Sequence, residues 1–243
     1  MTDRPILFSG PMVLALLAGR KTQTRRVIKP QPDFYAPGFN VTCLGGGTYP
    51  YRWLTSKHGP TVYATDPRDL ARRVAPRCRV QPGDLLWVRE AWRAEQCFDD
   101  RAPSNLPNGE IVARRYEADG AKKYWKYDHL PAGRPRASMH MPRWASRLTL
   151  EVTDVRVERV QDISEADARA EGVLWVPGHG EITTDDLMAD PGYSNFLHCR
   201  EGYQYLWNSL NAERGYGWDE NPWVSVTTFN VHKSNIDVVK ERT

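Results

Sequence analysis

Cysteine is scarce in this chain, and its copies stand far apart. Cys43, Cys78, Cys97 and Cys199 form no Cys-x-x-Cys pair, and the six histidines are equally scattered. That distribution lays out no zinc framework, so no metal is expected. Free thiols in a reducing compartment are the default for such a pattern, which points to the cytoplasm. Long apolar runs are missing too. Met12 to Ala18 is too short to cross a bilayer, and it lacks the charged flank and longer core of a signal peptide. A membrane partner is therefore not expected. The chain carries no Gly-x-x-x-x-Gly-Lys phosphate loop, dinucleotide glycine fingerprint, His-Glu-x-x-His or Gly-x-Ser-x-Gly elbow. No cofactor is expected either.

What is present is an uneven charge. Residues 1–150 hold 25 lysines and arginines against 13 acids, a surplus of +12. Residues 151–243 hold 8 against 17, a deficit of −9, and together they make the net +3. Such a split suits a face that meets a polyanion, although a merely solvated basic half has the same composition. With 40% hydrophobic and 26% charged residues the chain is not a disordered one. Its 243 residues are enough for one decorated domain or two small ones.

Along the chain, Arg4 to Ser9 reads as a strand around Ile6-Leu7-Phe8. A helix opens at Ser9-Gly10-Pro11 and closes at Gly19. Thr22 to Ile28 is rich in β-branched residues and reads as a strand, stopped by Pro30 and Pro32. Residues 30–82 hold eight prolines and the Gly45-Gly46-Gly47 run, yet are sprinkled with aromatics. They read as an insertion with a hairpin or two, packed on the main body. Gln81 to Asp84 is a turn before a strand from Leu85 to Trp92. Glu110 to Ala118 reads as another strand, ending in an Asp119-Gly120 hairpin turn. Arg147 to Val160 alternates, then skips a position at Asp154, which signals a bulge. Ser164 to Asp167 resembles a capping box, opening a helix that Gly172 closes. A second insertion, a short helix from Tyr203 to Leu210 and a strand from Trp223 to Val231 complete the chain, with a loosely held tail from Ser234. Many strands and few helices suggest a small mixed or antiparallel barrel.

Gly19-Arg20-Lys21-Thr22-Gln23-Thr24-Arg25-Arg26 is the densest chemistry in the sequence. Two readings fit it: a basic strand end for an anionic backbone, or a hydroxyl nucleophile, Thr24, beside an amine base, Lys21. A lysine serves as base only when desolvation or nearby cations lower its pKa, and Arg20, Arg25 and Arg26 are such cations. In a regular strand residues 21 and 24 point to opposite faces, so convergence requires Lys21 to lie in the turn after Gly19. Glu171 breaks two local rules. It stands in the last turn of its helix, where the dipole disfavours a carboxylate, and four residues after Asp167, a like charge. Such a residue is a candidate for function as well as for a plain exposed acid. From His129 to Leu150 there is no acid, but there are four arginines, with His140, Arg143 and Trp144 close together. Arginine for phosphate and an aromatic for stacking suit single-strand or flipped-base recognition, and a packed Trp among solvated arginines is the plain alternative. Within Trp87 to Trp92, a strand that reads as core-lining, Glu90 and Trp92 are candidates for a base pocket.

These pieces resemble the ASCH domain family, relatives of the PUA RNA-binding fold, and above all its larger phage and prophage members. The resemblance rests on Leu17 to Arg25, Pro82 to Val88, Leu148 to Val152, Asp162 to Gly172 and Trp223 to Phe229. It implies a single α+β domain over residues 1–243, a PUA-like small β-barrel with flanking helices and insertions at about 30–80 and 174–200. The small bacterial members that hydrolyse N4-acetylcytidine use a Lys-Thr-x-Thr motif and a glutamate. These fall on Lys21, Thr24 and Glu171, which would act as base, nucleophile and proton manager. Other members are described as RNA-binding or ribonucleolytic. The implied partner is RNA, a single-stranded or modified nucleic acid, or a pyrimidine nucleoside, with Arg20, Arg25, Arg26, Arg143, Trp144 and His140 as nucleic-acid contacts. This chain is more than twice the size of the small amidohydrolases, and its insertions carry aromatic and basic residues. Both favour a base within a strand.

Overall fold

The computed structural model describes residues 2–34, 51–54, 61–64, 66–107, 112–120, 131–173 and 199–242. The expected strand, helix and strand at the start are β1 (Asp3–Leu7), α1 (Gly10–Leu17) and β2 (Gln23–Val27). Extended Ser9 precedes α1, and Pro11 occupies its first turn, where a missing N–H leaves no bond unmade. Gly19 then takes φ +73°, the left-handed conformation that lets the chain reverse out of the helix.

Three short strands follow, β3 (Asp33–Phe34), β4 (Tyr51–Leu54) and β5 (Thr61–Ala64), paired antiparallel in that order. Helix α2 (Pro67–Val74) is capped by Asp66, whose carboxylate accepts from the Arg68 and Asp69 amides. Its Leu70 and Val74 are buried with Ile28, Val157 and Trp223, so this part of the expected insertion packs on the main sheet. The triglycine run lies outside the described residues, as do residues 174–198 of the second insertion.

The central sheet is mixed and five-stranded, in the order β1-β6-β9-β10-β2, with β6 (Leu85–Arg89), β9 (Thr149–Arg159) and β10 (Trp223–His232). Only β1 and β6 run parallel, and the other neighbours are antiparallel. The expected bulge is here. Register passes from Thr228 opposite Asp154 to Phe229 opposite Val152, which leaves Thr153 as the extra residue. The slip keeps Leu150, Val152, Val155 and Val157 on one face. Among the described residues no ladder joins the edge strands β1 and β2, so the strands form an open sheet rather than the expected closed barrel. A side chain stands where a ladder would be: the Arg26 guanidinium donates to the Leu7 carbonyl at 2.8 Å.

One apolar core fills the space between α1 and the sheet, with Phe8, Val13, Leu16, Val88, Leu150 and Phe229 buried together. A second lies under α3 (Glu165–Ala170) and α4 (Cys199–Asn211), where Ala168, Tyr203 and Trp207 meet Val224 and Val226. The capping box at α3 is half made: Ser164 Oγ accepts from the Asp167 amide at 3.1 Å.

Several expectations need correction. Leu85 to Trp92 is not one strand. It ends at Arg89, and β7 (Trp92–Arg93) pairs separately with β8 (Arg115–Tyr116). Of the strand expected over Glu110 to Ala118, only β8 is extended among the described residues, and a 3₁₀ turn at Glu117–Asp119 follows it. Helix α4 begins at Cys199, earlier than Tyr203, because Glu165 accepts from the Cys199 and Arg200 amides and so completes its first turn. The tail is not loose: α5 (Ile236–Lys240) buries Ile236 and Val239 against Leu85 and Trp87. Asn235 pins its start by donating to the Arg143 and Ser146 carbonyls. No helix among the described residues is long and apolar enough to cross a membrane.

Candidate functional site

The turn after Gly19 delivers Lys21 to the interior. The amides of Arg20 and Lys21 both donate to the Ala15 carbonyl, and regular strand begins only at Gln23. Lys21 therefore escapes the alternation that would point it away from Thr24. The Thr22 amide binds the Ala170 carbonyl at 2.9 Å, which ties this turn to the end of α3. Gly172 makes the close approach possible. It has φ +94°, and a Cβ there would lie 3.1 Å from Ala15 Cβ and 3.4 Å from Lys21 Cβ.

The result is a buried ion pair. Lys21 Nζ stands 2.7 Å from Glu171 Oε2 and donates to the Glu171 carbonyl at 2.8 Å. Lys21 is 2% exposed and Glu171 4%. One amine thus answers both objections to Glu171: it neutralises the carboxylate and occupies an orphan carbonyl at the helix end. Burial pushes the Lys21 amine below the ordinary lysine value of 10.5, against the pull of Glu171, and the charges of Arg26 and Arg25 push the same way.

Arg25 resolves the clash of like charges between Asp167 and Glu171. Its guanidinium lies 3.3 Å from a carboxylate oxygen of each, and 2.6 Å from Glu158 Oε1. It also donates to Gln23 Oε1 at 2.6 Å and lies over the Tyr203 ring. Burial lowers its pKa, and the Glu171 and Glu158 carboxylates, with the hydrogen bond to Glu158, more than reverse this, so it remains a fixed cation. Burial first, and then the Glu171 charge, hold the Tyr203 phenol well above its ordinary 10.0.

Lys21, Thr24 and Glu171 line one cavity of about 400 Å³, with Phe8, Tyr203 and Trp207 among its apolar walls. Arg26, Lys29 and Arg214 line it as well. The Thr24 hydroxyl makes no hydrogen bond to the protein among the described residues, although Thr24 is only 5% exposed. An amine of lowered basicity, an unengaged hydroxyl and a carboxylate therefore face a common space with room for a nucleobase and sugar.

The other expected contacts divide. Arg26 is exposed, lines the cavity and lies over the Phe8 ring. Arg20 does not line it, and reaches back to the Gly172 carbonyl at 3.4 Å. Arg25, expected to touch nucleic acid, is buried and saturated by carboxylates, so its work is to hold Glu171. Arg143 is engaged by Asp237 at 2.6 Å and Asp3 at 3.0 Å, so its charge is neutralised within the protein. Trp144 packs edge-on against Trp92, beneath the Arg114 guanidinium. His140 is exposed and outside the cavity lining. The base-pocket expectation for Glu90 and Trp92 is corrected. Both are buried, Glu90 is clasped by Arg147 at 2.8 and 2.9 Å, and Trp92 packs with Met141 and Ala145. Neither lines the cavity.

Arg25, Glu158 and Tyr203 were not singled out as site organisers from sequence. The spacing of Asp167 and Glu171 was the available signal, because two acids one helical turn apart repel and a cation between them relieves that repulsion. Among the described residues no group of three or more His, Cys, Asp or Glu side chains is placed to hold a metal. No protein-family model, curated protein or solved structure matches this chain.

Proposed function

We propose that this is a cytoplasmic ASCH-type protein with a PUA-like arrangement of strands, which takes a pyrimidine nucleoside or base into the Lys21 cavity and hydrolyses an amide at its N4 position. The observation that carries the reading is the shared lining of Lys21, Thr24 and Glu171 around one space, with Lys21 and Glu171 2.7 Å apart and nearly excluded from water. In the first step neutral Lys21 takes the Thr24 hydroxyl proton, and Oγ1 bonds to the acyl carbon. The tetrahedral intermediate then expels the exocyclic nitrogen, which receives the proton from Lys21 as the C–N bond breaks. The acyl group is left on Thr24 as an ester. Glu171 orients a water molecule and accepts its proton while that water attacks the ester, then passes the proton to Thr24 Oγ1 as the ester C–O bond breaks, freeing the carboxylic acid and the hydroxyl.

Desolvation favours this chemistry because it disfavours the protonated amine. The carboxylate opposes it by holding that proton. Substrate that excludes water and separates the pair shifts the balance toward the free base. A non-catalytic base reader would use the same cavity, and the cations Arg26, Lys29 and Arg214 on its wall favour that second reading. The deciding experiment is incubation with N4-acetylcytidine, following cytidine and acetate by chromatography. Turnover by the native protein, abolished by Thr24→Ala, is expected. The variant deletes no protein hydrogen bond, so its melting temperature should hardly move. Absence of turnover by native protein that still binds cytidine would leave the reader.

A further inference from the structure

A second hollow, of about 460 Å³, adjoins the first and shares Thr24, Arg26, Val27 and Lys29 with it. Arg77 and Arg79, from the segment after α2, complete its basic wall, and Ser225 and Thr227 of β10 add hydroxyls. No aspartate or glutamate is among the residues that line it.

Four cations around one hollow repel each other, and several other arginines among the described residues are paired with acids. Arg73 pairs with Asp69, Arg93 with Glu117, Arg143 with Asp3 and Asp237, and Arg147 with Glu90 and Asp119. Arg26, Lys29, Arg77 and Arg79 make no ion pair among the described residues, and all four are exposed. Arg26 and Arg77 each reach a main-chain carbonyl, Leu7 and Arg73 respectively, which fixes the side chain without neutralising it. A guanidinium held this way and left charged is prepared for a phosphate, whose oxygens accept paired N–H bonds.

We propose that the second hollow is a phosphate subsite, so that the substrate is a phosphorylated pyrimidine nucleotide rather than a free nucleoside. This rests on the first cavity as the base site. Because Thr24 and Arg26 line both hollows, a nucleotide with its base in the first would place its phosphate toward the second. The phosphate is either the terminal group of a mononucleotide or a phosphodiester of a single strand, and the same cations recognise both.

The test is binding, measured without turnover. Cytidine, cytidine 5′-monophosphate and a short oligocytidylate are titrated against the native protein, the Arg77→Ala/Arg79→Ala variant and an Arg68→Ala/Arg72→Ala control. The control removes the same charge from exposed positions of α2 outside the hollow. Native protein should bind a phosphorylated probe at least about tenfold more tightly than cytidine. Arg77→Ala/Arg79→Ala should lose that gain, and the control should keep it. For the strand, the slope of log affinity against log salt should flatten by about 1.4 in the variant, at about 0.7 per phosphate contact. Gain with the mononucleotide identifies a terminal phosphate as the source, and gain with the strand alone identifies a phosphodiester. Equal affinity for all three probes, or equal losses in variant and control, would overturn the proposal. Phosphate-dependent binding without deacylation would remove the hydrolase and leave the subsite standing.

Discussion

Lys21 Nζ and Glu171 Oε2 meet at 2.7 Å although 150 residues separate them in the chain, and neither has appreciable access to water. The pair joins the turn after α1 to the end of α3, so it closes the site as well as equipping it. A buried ion pair is weak evidence for stability by itself, because desolvation offsets much of the attraction. Breaking it from one side is a different matter.

Glu171→Ala removes the partner of Lys21 and one of the carboxylates around Arg25. It is expected to cost about 3–5 kcal/mol, with Lys21→Met costing less, since a neutral chain of similar length fills the space. The double variant should fall well short of the summed losses, because neither leaves the other charge unpaired. Urea denaturation of the four proteins checks this. Additive losses would mean that the two groups do not interact.

The lowered pKa of Lys21 carries a pH dependence whose sign can be worked out. Between its folded value and the unfolded 10.5, the unfolded chain binds more protons at this group. The contribution of Lys21 therefore makes the protein more stable as pH rises through that window, and is complete above it. Under the proposed mechanism activity follows the same limb, because the neutral amine would be the base. Deacylation of N4-acetylcytidine should climb with pH and level off below 10.5. Lys21→Arg keeps a cation beside Glu171 but cannot lose its proton. It should be inactive across the whole pH range, as followed by cytidine release. Full activity in that variant would remove Lys21 as base.

At the other end of the chain, Ile236 is fully buried beneath β6 with Leu85 and Trp87. Ile236→Ala leaves a cavity there and is expected to cost about 2–5 kcal/mol. Thermal melts monitored by circular dichroism check it. A change of only a few tenths would restore the sequence-based expectation of a loosely held tail.

Much of the framework was legible because it is locally encoded. Gly19 and Gly172 end helices with positive φ, Pro11 opens one, Ser164 caps another, and the skipped position near Asp154 marks the bulge at Thr153. Short-range sterics and alternation decide such features, and they survive in any tertiary setting. Where the reading failed, a distant partner had intervened. Trp92 left the strand of Leu85 because Arg115–Tyr116 and Arg136 offered it other pairing, and Ile236 folded because Leu85 and Trp87 offered a surface.

The site divides in the same way. From sequence alone came Lys21, Thr24 and Glu171 as candidates and the need for Lys21 to sit in a turn, since both follow from residue type, local rules and strand alternation. Only the fold decided which arginines are free to touch a ligand. Arg25 and Arg26 are neighbours in a strand, yet one is buried among Glu158, Asp167 and Glu171 while the other faces the two hollows. The carboxylate partners of Arg25 are brought in by β9 and the end of α3 from more than half the chain away. Composition counts a charge, but burial and pairing determine whether it is spent inside the protein or offered outside it.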